Sequence, residues 1–529
     1  MEFREDGALP GEKGLLKKAL LLVLIGAAFG LITHLTGGGS AHVISVTVFV
    51  IIVAGTLFFW TFRLAIAFLG VATLLIANVL DIPGFVSAAS LPVILFLVGM
   101  MIVVGALRDL GFFTWVIQLI MGVKSMTGMK FVIITGLVSA LLASLVDEVT
   151  SIIFMAVLIF QVCDTLKVRP TPYLIISVLT TNIGSSGTML GNPVGIFIGT
   201  KAGLTFEDFM VWAFPVMIMA LLVTLATVIL WYRKEIKQFD DSLQIRKHKE
   251  LGLGPVVEVS PWKGLVVLIG TVGLIAAHHR LEQGMGLQPN TILLMAPLIS
   301  AGIIMIVRRN RARHYVESEV DWWTLTFFLL LFAVAGTLEH TGFTTRLAAG
   351  FGAVFKGSLP LMVVAVATVS AVGSAFVDNV VYVAAFVPVV KSLGLAGYHA
   401  EPLWWALLFG ACYGGNITMI GSTANIVALG MLEKRYREHV RFWEWFKVGA
   451  IAGGVSTVVS IAAIIVLTPF MPHRPVPVEP GETPAAIQAP AEPGAGPAEE
   501  KEKSVPAAEA PHPQPALAGN PTAPSSATE

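Results

Sequence analysis

Asp147 and Glu148 stand side by side in SLVDEV (144–149), and Asp378 and Asn379 do so in SAFVDNVVYVAAF (374–386), within apolar runs whose other residues suit hydrocarbon. A carboxylate at membrane depth is costly, and it survives where it faces a cavity, a cation, a proton or a hydrogen-bond donor. Neighbouring carboxyls can share a proton, and Thr150 adds a hydroxyl close to the first pair. The chemistry on offer is the holding of a proton or small cation. A plainer account is that each Asp caps the helical arm that follows it, accepting free backbone NH groups; the two roles can coincide.

A second pair of stretches has the same character. TTNIGSSGTMLGNPVG (180–195) and GGNITMIGSTANIVALG (414–430) place Gly, Ser, Thr and Asn in the middle of spanning segments. That composition favours an unwound stretch between two half-helices. Half-helix N-termini attract anions, whereas free carbonyls and carboxamides coordinate sodium. Candidate lining is Asn182, Thr188 and Asn192 in one stretch, and Asn416, Thr418, Ser422, Thr423 and Asn425 in the other. Close helix packing through small residues is the competing explanation, above all for the Ser and Thr positions.

The elements that must carry these residues follow from composition. Of 529 residues 55% are hydrophobic and 13% charged, with mean hydropathy +0.81, where an ordinary soluble domain has about 25% charged residues. The chain is an integral membrane protein, and segments of about 20 apolar residues recur from 15 to 470. Cys163 and Cys412 are the only cysteines, which excludes a disulfide framework and a cysteine-built metal site. Zero net charge gives no argument for nucleic acid. The basic, then apolar, start resembles a signal peptide, but hydrophobic segments follow at once without a clear cleavage site, so it is expected to be the first span.

Spans are expected at 15–35, 41–60, 62–80 and 90–107, then a broken pair 129–146 and 148–165, an interrupted segment 171–200, and 206–232. The second half offers 262–278, 289–307, 322–338, a broken pair 359–376 and 379–393, an interrupted segment 402–431, and 444–469. The domains are a cytoplasmic N-terminus 1–14, a first transmembrane half 15–232 with an extra N-terminal helix, a basic cytoplasmic linker 233–261, a second half 262–471, and a disordered Pro/Ala/Glu-rich tail 472–529.

Four landmarks recur in order. GALRDLGFFT (105–114) matches GTLEHTGFTT (336–345), SLVDEV matches AFVDNV (375–380), TMLGNPVGI (188–196) matches TMIGSTANI (418–426), and FEDFMV (206–211) matches WEWFKV (443–448). An offset of 231 residues relates the first landmarks and also Asp147 to Asp378. Basic residues gather at Lys13, Lys17 and Lys18, at Lys124 and Lys130, at Lys167 and Arg169, from Arg233 to Lys249, from Arg308 to Arg313, and from Lys434 to Arg441. With all of them cytoplasmic, the first broken pair starts and ends inside and the second outside, with the tail outside. The fold class is therefore an all-α polytopic membrane protein of two inverted-topology repeats, each with a re-entrant helical hairpin and an unwound transmembrane helix. Secondary transporters are built in this way.

The order of a D-E or D-N hairpin tip, then GGNITMIGSTAN, then FWEWFKVG resembles the ion-transporter superfamily, specifically the citrate-transporter-like domain of arsenical-pump permeases and NhaD-type sodium/proton antiporters. The likeness covers roughly 20–470. It implies a scaffold part and a moving transport part, an elevator motion, commonly a homodimer, and ion or substrate binding at Asp147, Asn192, Asp378, Asn379 and Asn425. A sodium site would use Asp147, Asn192, Asp378 and Asn425. The Asp-Glu tip stands where dicarboxylate carriers of the family have a Ser-Asn-Thr type tip, and GNPVG lacks a carboxylate after its glycine, which weighs against dicarboxylates.

The expected function is a secondary ion transporter coupled to H+ or Na+, with sodium/proton antiport favoured and an arsenite, oxyanion or carboxylate permease as the rival. No HExxH, nucleophile elbow or P-loop is present, so no enzyme and no ATPase is expected, and no cofactor beyond the coupling ion. A channel suits inverted repeats less well than alternating access does. Expected partners are a small ion or anion, the bilayer of the cell (inner) membrane and a second copy of the chain, with no nucleic acid. His278-His279-Arg280 reads as a solvated loop end, Trp322-Trp323 and Trp404-Trp405 as interfacial anchors, and Cys412 as packing. Glu339-His340 and Arg108-Asp109 end equivalent helices and read as gate or snorkelling pairs.

Overall fold

The computed structural model describes residues 12–248, 260–355 and 357–477; expectations for 1–11, 249–259, Lys356 and 478–529 lie outside the described residues. In the first half α1 (Glu12–Leu35), α2 (Ser40–Phe58), α3 (Arg63–Ile76) and the short α4 (Ile82–Ala88) precede α5 (Leu91–Asp109) and α6 (Phe112–Met121). Then come α7 (Gly128–Leu145), α8 (Glu148–Leu166), α9 (Thr171–Gly184), α10 (Pro193–Ala202) and α11 (Phe206–Trp231). The linker begins as a helix, α12 (Arg233–His248). The second half runs α13 (Trp262–Ala276), α14 (His278–Met285), α15 (Thr291–Val307), a bent segment Arg309–Glu319, α16 (Trp322–His340), α17 (Phe343–Phe355), α18 (Leu359–Phe376), α19 (Asn379–Leu395), α20 (Ala400–Gly414), α21 (Thr423–Tyr436) and α22 (Phe442–Leu467).

Among the described residues there is no strand, and nine helices are long and apolar enough to cross a membrane, or eleven if two bent pairs count as single spans. Large apolar side chains on α1, α11 and α15, among them Leu16, Leu222 and Ile306, face outward where lipid would lie. The offset of 231 residues reappears as whole helices: α5 on α16, α6 on α17, α7 on α18 and α8 on α19 start at equivalent positions.

The repeated glycines have a geometric reason. Gly111 and Gly342 take φ of 75° and 78°, the left-handed turn that ends α5 and α16 and starts the short α6 and α17. Neither short helix is among the expected spans, being too short to cross. Gly184 and Gly414 lie where α9 crosses α7 and α20 crosses α18; a Cβ at either would come within 2.3 Å of backbone atoms of Ala140 or Ala371. Only glycine allows these two crossings.

Ion pairs and hydrogen bonds sort the loops into two groups. In one group, Gly128 N donates to Asp240 (2.7 Å), the Tyr173 hydroxyl to the Glu235 carbonyl (2.7 Å), Arg169 pairs with Glu438 and Glu444, and Arg435 with Asp164. In the other, Arg280 pairs with Glu207, Arg474 with Asp208, Lys391 with Glu339, and His399 bonds the Pro472 carbonyl. α11 runs from the second group to the first and α22 runs back, and the two pack together. The α7–α8 hairpin has its open end in the first group and the α18–α19 hairpin in the second, so the repeats enter from opposite ends.

Three readings change, and the burial of one lysine is unforeseen. Residues 472–477 are not loose: Arg474 makes two hydrogen bonds to Asp208 (2.6 and 2.8 Å), and this pairing holds the guanidinium above its ordinary pKa. His278 is buried and its Nδ1 meets the Ile275 carbonyl at 2.8 Å, because it opens a helix instead of a loop. Trp404 and Trp405 are buried inside α20, Trp405 edge-on to Phe209, whereas Trp322 and Trp323 are exposed as expected of anchors. Lys391 is only 3% exposed, because its ammonium is paired with Glu339 instead of reaching water.

This sorting predicts labelling. Cysteines placed at exposed Lys124 and Lys167 should react with an impermeant thiol reagent from one face of a sealed vesicle, and cysteines at Arg280 and Ala396 from the other. Reaction of all four from one face would overturn the inverted arrangement.

Candidate functional site

Each broken helix restarts with a capping side chain, and the four restarts meet. Asp147 accepts from Val149 N (2.8 Å) and Thr150 N (2.9 Å) to begin α8, and Asn192 accepts from Gly195 N (2.9 Å) to begin α10. Asp378 accepts from Val380 N (3.1 Å) at α19, and Ser422 from Ala424 N (3.2 Å) at α21. The capping role is therefore real. Each cap also joins its neighbours: Thr423 donates to the free oxygen of Asp378 (2.6 Å), and Ser422 donates to Glu148 (3.4 Å) and to Asn182 (3.1 Å). The Ser422-Thr423 dipeptide thus links the tips of both hairpins.

The unwound stretches are pinned in the same way in each half. Thr188 donates to the Ser144 carbonyl and Thr418 to the Ala375 carbonyl, the last turns of α7 and α18. Asn182 sits between the halves. Its amide nitrogen donates to Asn416 Oδ1 and Asn425 Oδ1, both at 2.8 Å. Asn416 donates to the Leu179 carbonyl (3.1 Å), and Asn425 to the carbonyls of Gly415 (2.8 Å) and Thr418 (2.9 Å). Asn379, with its amide nitrogen turned to the carbonyls of Ala411 (3.1 Å) and Gly421 (2.8 Å), ties hairpin to unwound segment. Asn192 also donates to Ser185 (2.9 Å) and to Cys412 Sγ (3.2 Å), giving that packed thiol a partner.

These carboxamides are largely spent on the protein itself. The group with spare capacity is Glu148, 5% exposed, whose Oε2 has no hydrogen-bond partner. Thr150 lines the same space with its NH on Asp147. A cavity of about 260 Å³ borders Asp147, Glu148, Thr150, Asn192 and Thr423, and extends past Met100 to Arg108, which pairs with Glu319 at 2.9 Å.

Arg63 is absent from the sequence-derived candidates. It is 5% exposed, donates to Thr324 Oγ1 (3.0 Å), lies 4.0 Å over the Trp60 ring, and faces Asp378 and Asp321. A guanidinium in the apolar stretch 41–80 was the available signal, and it fell near the start of the expected span 62–80. Asp378 therefore has a cation nearby and a hydroxyl donor; among the described residues Glu148 has no facing cation, a 3.4 Å bond from Ser422 on Oε1 and no partner at hydrogen-bond distance on Oε2. The expected gate pairs separate: Arg108 meets Glu319, Asp109 meets Arg311 and Tyr315, and Glu339 meets Lys391.

Inverted repeats with paired broken helices around a buried polar centre define a membrane transporter. A family profile described as "Citrate transporter" matches residues 48–410, and the chain belongs to that family. The uncharacterized transporters Mb2703 of Mycobacterium bovis and Rv2684 of Mycobacterium tuberculosis are each 34% identical over 379 residues, covering 70% of this chain and 84% of theirs. The human P protein is 26% identical over 441 residues, covering 70% of this chain and 52% of its own. The YdaH transporter of Alcanivorax borkumensis aligns in structure with a TM-score of 0.49 at 15% identity, over 74% of this chain and 87% of that one.

Asn182→Ala removes three side-chain hydrogen bonds and leaves buried partners unpaired, so unfolding in mixed micelles should become easier by about 3 kcal/mol. A change within about 0.5 kcal/mol, the scale of a neutral surface substitution, would show that Asn182 does not join the halves.

Proposed function

We propose that this protein is a secondary active transporter in which Glu148 takes up the coupling cation, a proton or a sodium ion. The observation that carries the reading is the unpartnered, buried Oε2 of Glu148 beside Asp147 and the Ser422-Thr423 link to Asp378. A buried carboxylate left without a partner in a low-dielectric site binds a cation or a proton. Asp147 and Asp378, each capping a helix, shape the site around it, and the carboxamides of Asn192 and Asn425 hold the broken backbone open as well as lining it. Exchange of sodium for protons is the direct form of this chemistry.

A second reading, cotransport of a small carboxylate, has its own support. Four helix N-termini converge on one place, and their dipoles favour an anion; the family description points the same way. Hairpins and broken helices move together against the remaining helices as an elevator, a motion consistent with the glycine crossings that bind α7 to α9 and α18 to α20. The homodimer rests on the family resemblance. The clustering of Lys and Arg on one group of loops supports a cytoplasmic position for those loops, with the cell membrane as the bilayer that this reading assumes.

Proteoliposome flux tests this, with sodium, a pH gradient, citrate and arsenite varied one at a time. Glu148→Gln keeps shape and one acceptor but removes the titratable charge, and should lower cation-coupled flux at least tenfold in a folded protein. Full coupling in Glu148→Gln would remove that residue from the mechanism. Citrate uptake that follows the cation gradient would select the second reading.

A further inference from the structure

Two cavities lie end to end along one face of α16. The tip cavity borders Thr324 and Phe328, and a second cavity of about 340 Å³ borders Phe332, Gly336 and Glu339. Steps of three and four residues keep those positions on one side of the helix. α10 repeats the arrangement, with Pro193 in the first cavity and Phe197 and Lys201 in the second. Where the second cavity adjoins the first, its wall is a pair of buried rings, Phe197 stacked on Phe332 with centroids 4.2 Å apart and planes 5° apart; Phe328, on the border of the tip cavity, follows at 6.2 Å.

The cavities also belong to opposite ends of the molecule. The tip cavity reaches Arg108, whose side chain is 43% exposed and which adjoins Asp109 and its partner Arg311. The second cavity holds the Lys391–Glu339 pair, in the loop group that includes Arg474 and Asp208. A path across the protein thus consists of two open lengths and one closed one.

We infer that the second cavity is the vestibule for the transported solute on that face, and that the Phe197–Phe332 stack is the barrier between it and the tip carboxylates. This rests on the transporter reading above. One ring rides on a half-helix that follows a broken segment and the other on an unbroken helix, so sliding α10 along α16 unstacks them. The vestibule wall carries both signs of charge, from Lys391 and Glu339, which suits a small hydrophilic ion and not an apolar solute.

The test is accessibility and needs no knowledge of the solute. Met100→Cys puts a thiol in the tip cavity, and an impermeant methanethiosulfonate is applied to proteoliposomes from either face, with the parent protein, whose two native thiols are buried, as background. From the vestibule face, reaction should be slow with the stack intact and at least tenfold faster with Phe332→Ala or Phe197→Ala. From the other face the rate should stay the same, which also verifies the fold. Phe332→Tyr keeps the ring and should stay slow. Equal vestibule-face rates in Phe332→Ala, Phe197→Ala and the intact stack overturn the inference, as does a Tyr variant as fast as the Ala one. Loss of coupling in Glu148→Gln is read by flux alone, so the two ideas fail separately.

Discussion

A helix that stops inside hydrocarbon exposes NH and CO groups that lipid cannot satisfy, and the polar residues repeated at the breaks of this chain answer that constraint. Four helices stop and restart near one another. Their first NH groups are met by Asp147, Asn192, Asp378 and Ser422; Thr188 and Thr418 meet carbonyls at the ends of the hairpin arms α7 and α18, and Asn425 meets the Gly415 and Thr418 carbonyls of its own interrupted stretch. Asn182 fastens the two sets together, so the centre is a joint of hydrogen bonds in which few acceptors remain available. The oxygen of Glu148 left over from that scheme is informative because so much around it is paired.

Much of this was legible in the chain. Period-free apolar runs, two polar tips and a repeated set of landmarks gave the helices, the hairpins and the relation between halves, because the same backbone problems are solved by the same residue types in each half. The glycine of G-F-x-T and the threonine of T-M-x-G recur for reasons seen only in space, a left-handed turn and a tie to the neighbouring hairpin. Positions at which the halves differ were harder to read. Arg63 has no landmark, and its role depends on Trp60, Thr324 and Asp378 meeting across the fold.

Roles within the polar stretches were also hidden. A carboxamide reads the same in sequence whether it coordinates an ion or holds a carbonyl, and Asn192 and Asn425 do at least the second. Tryptophans at a span's start likewise read as anchors; α20 is buried on all sides, so Trp404 and Trp405 pack inside instead. Burial on every face needs the neighbours, which one chain segment does not announce.

Halves built to one plan and set head to tail have an energetic consequence. In a carrier of this kind, exchanging the conformations of the two repeats turns the form open to one face into the form open to the other, with most contacts conserved in kind. The two end states would then be nearly degenerate, and their ratio would be set by positions where the halves depart from each other, such as Glu148 against Asn379 and the lone Arg63. Each departure worth about 1.4 kcal/mol shifts that ratio tenfold. In such a carrier a handful of asymmetric residues would set the resting orientation, while the symmetric majority would keep both orientations within thermal reach.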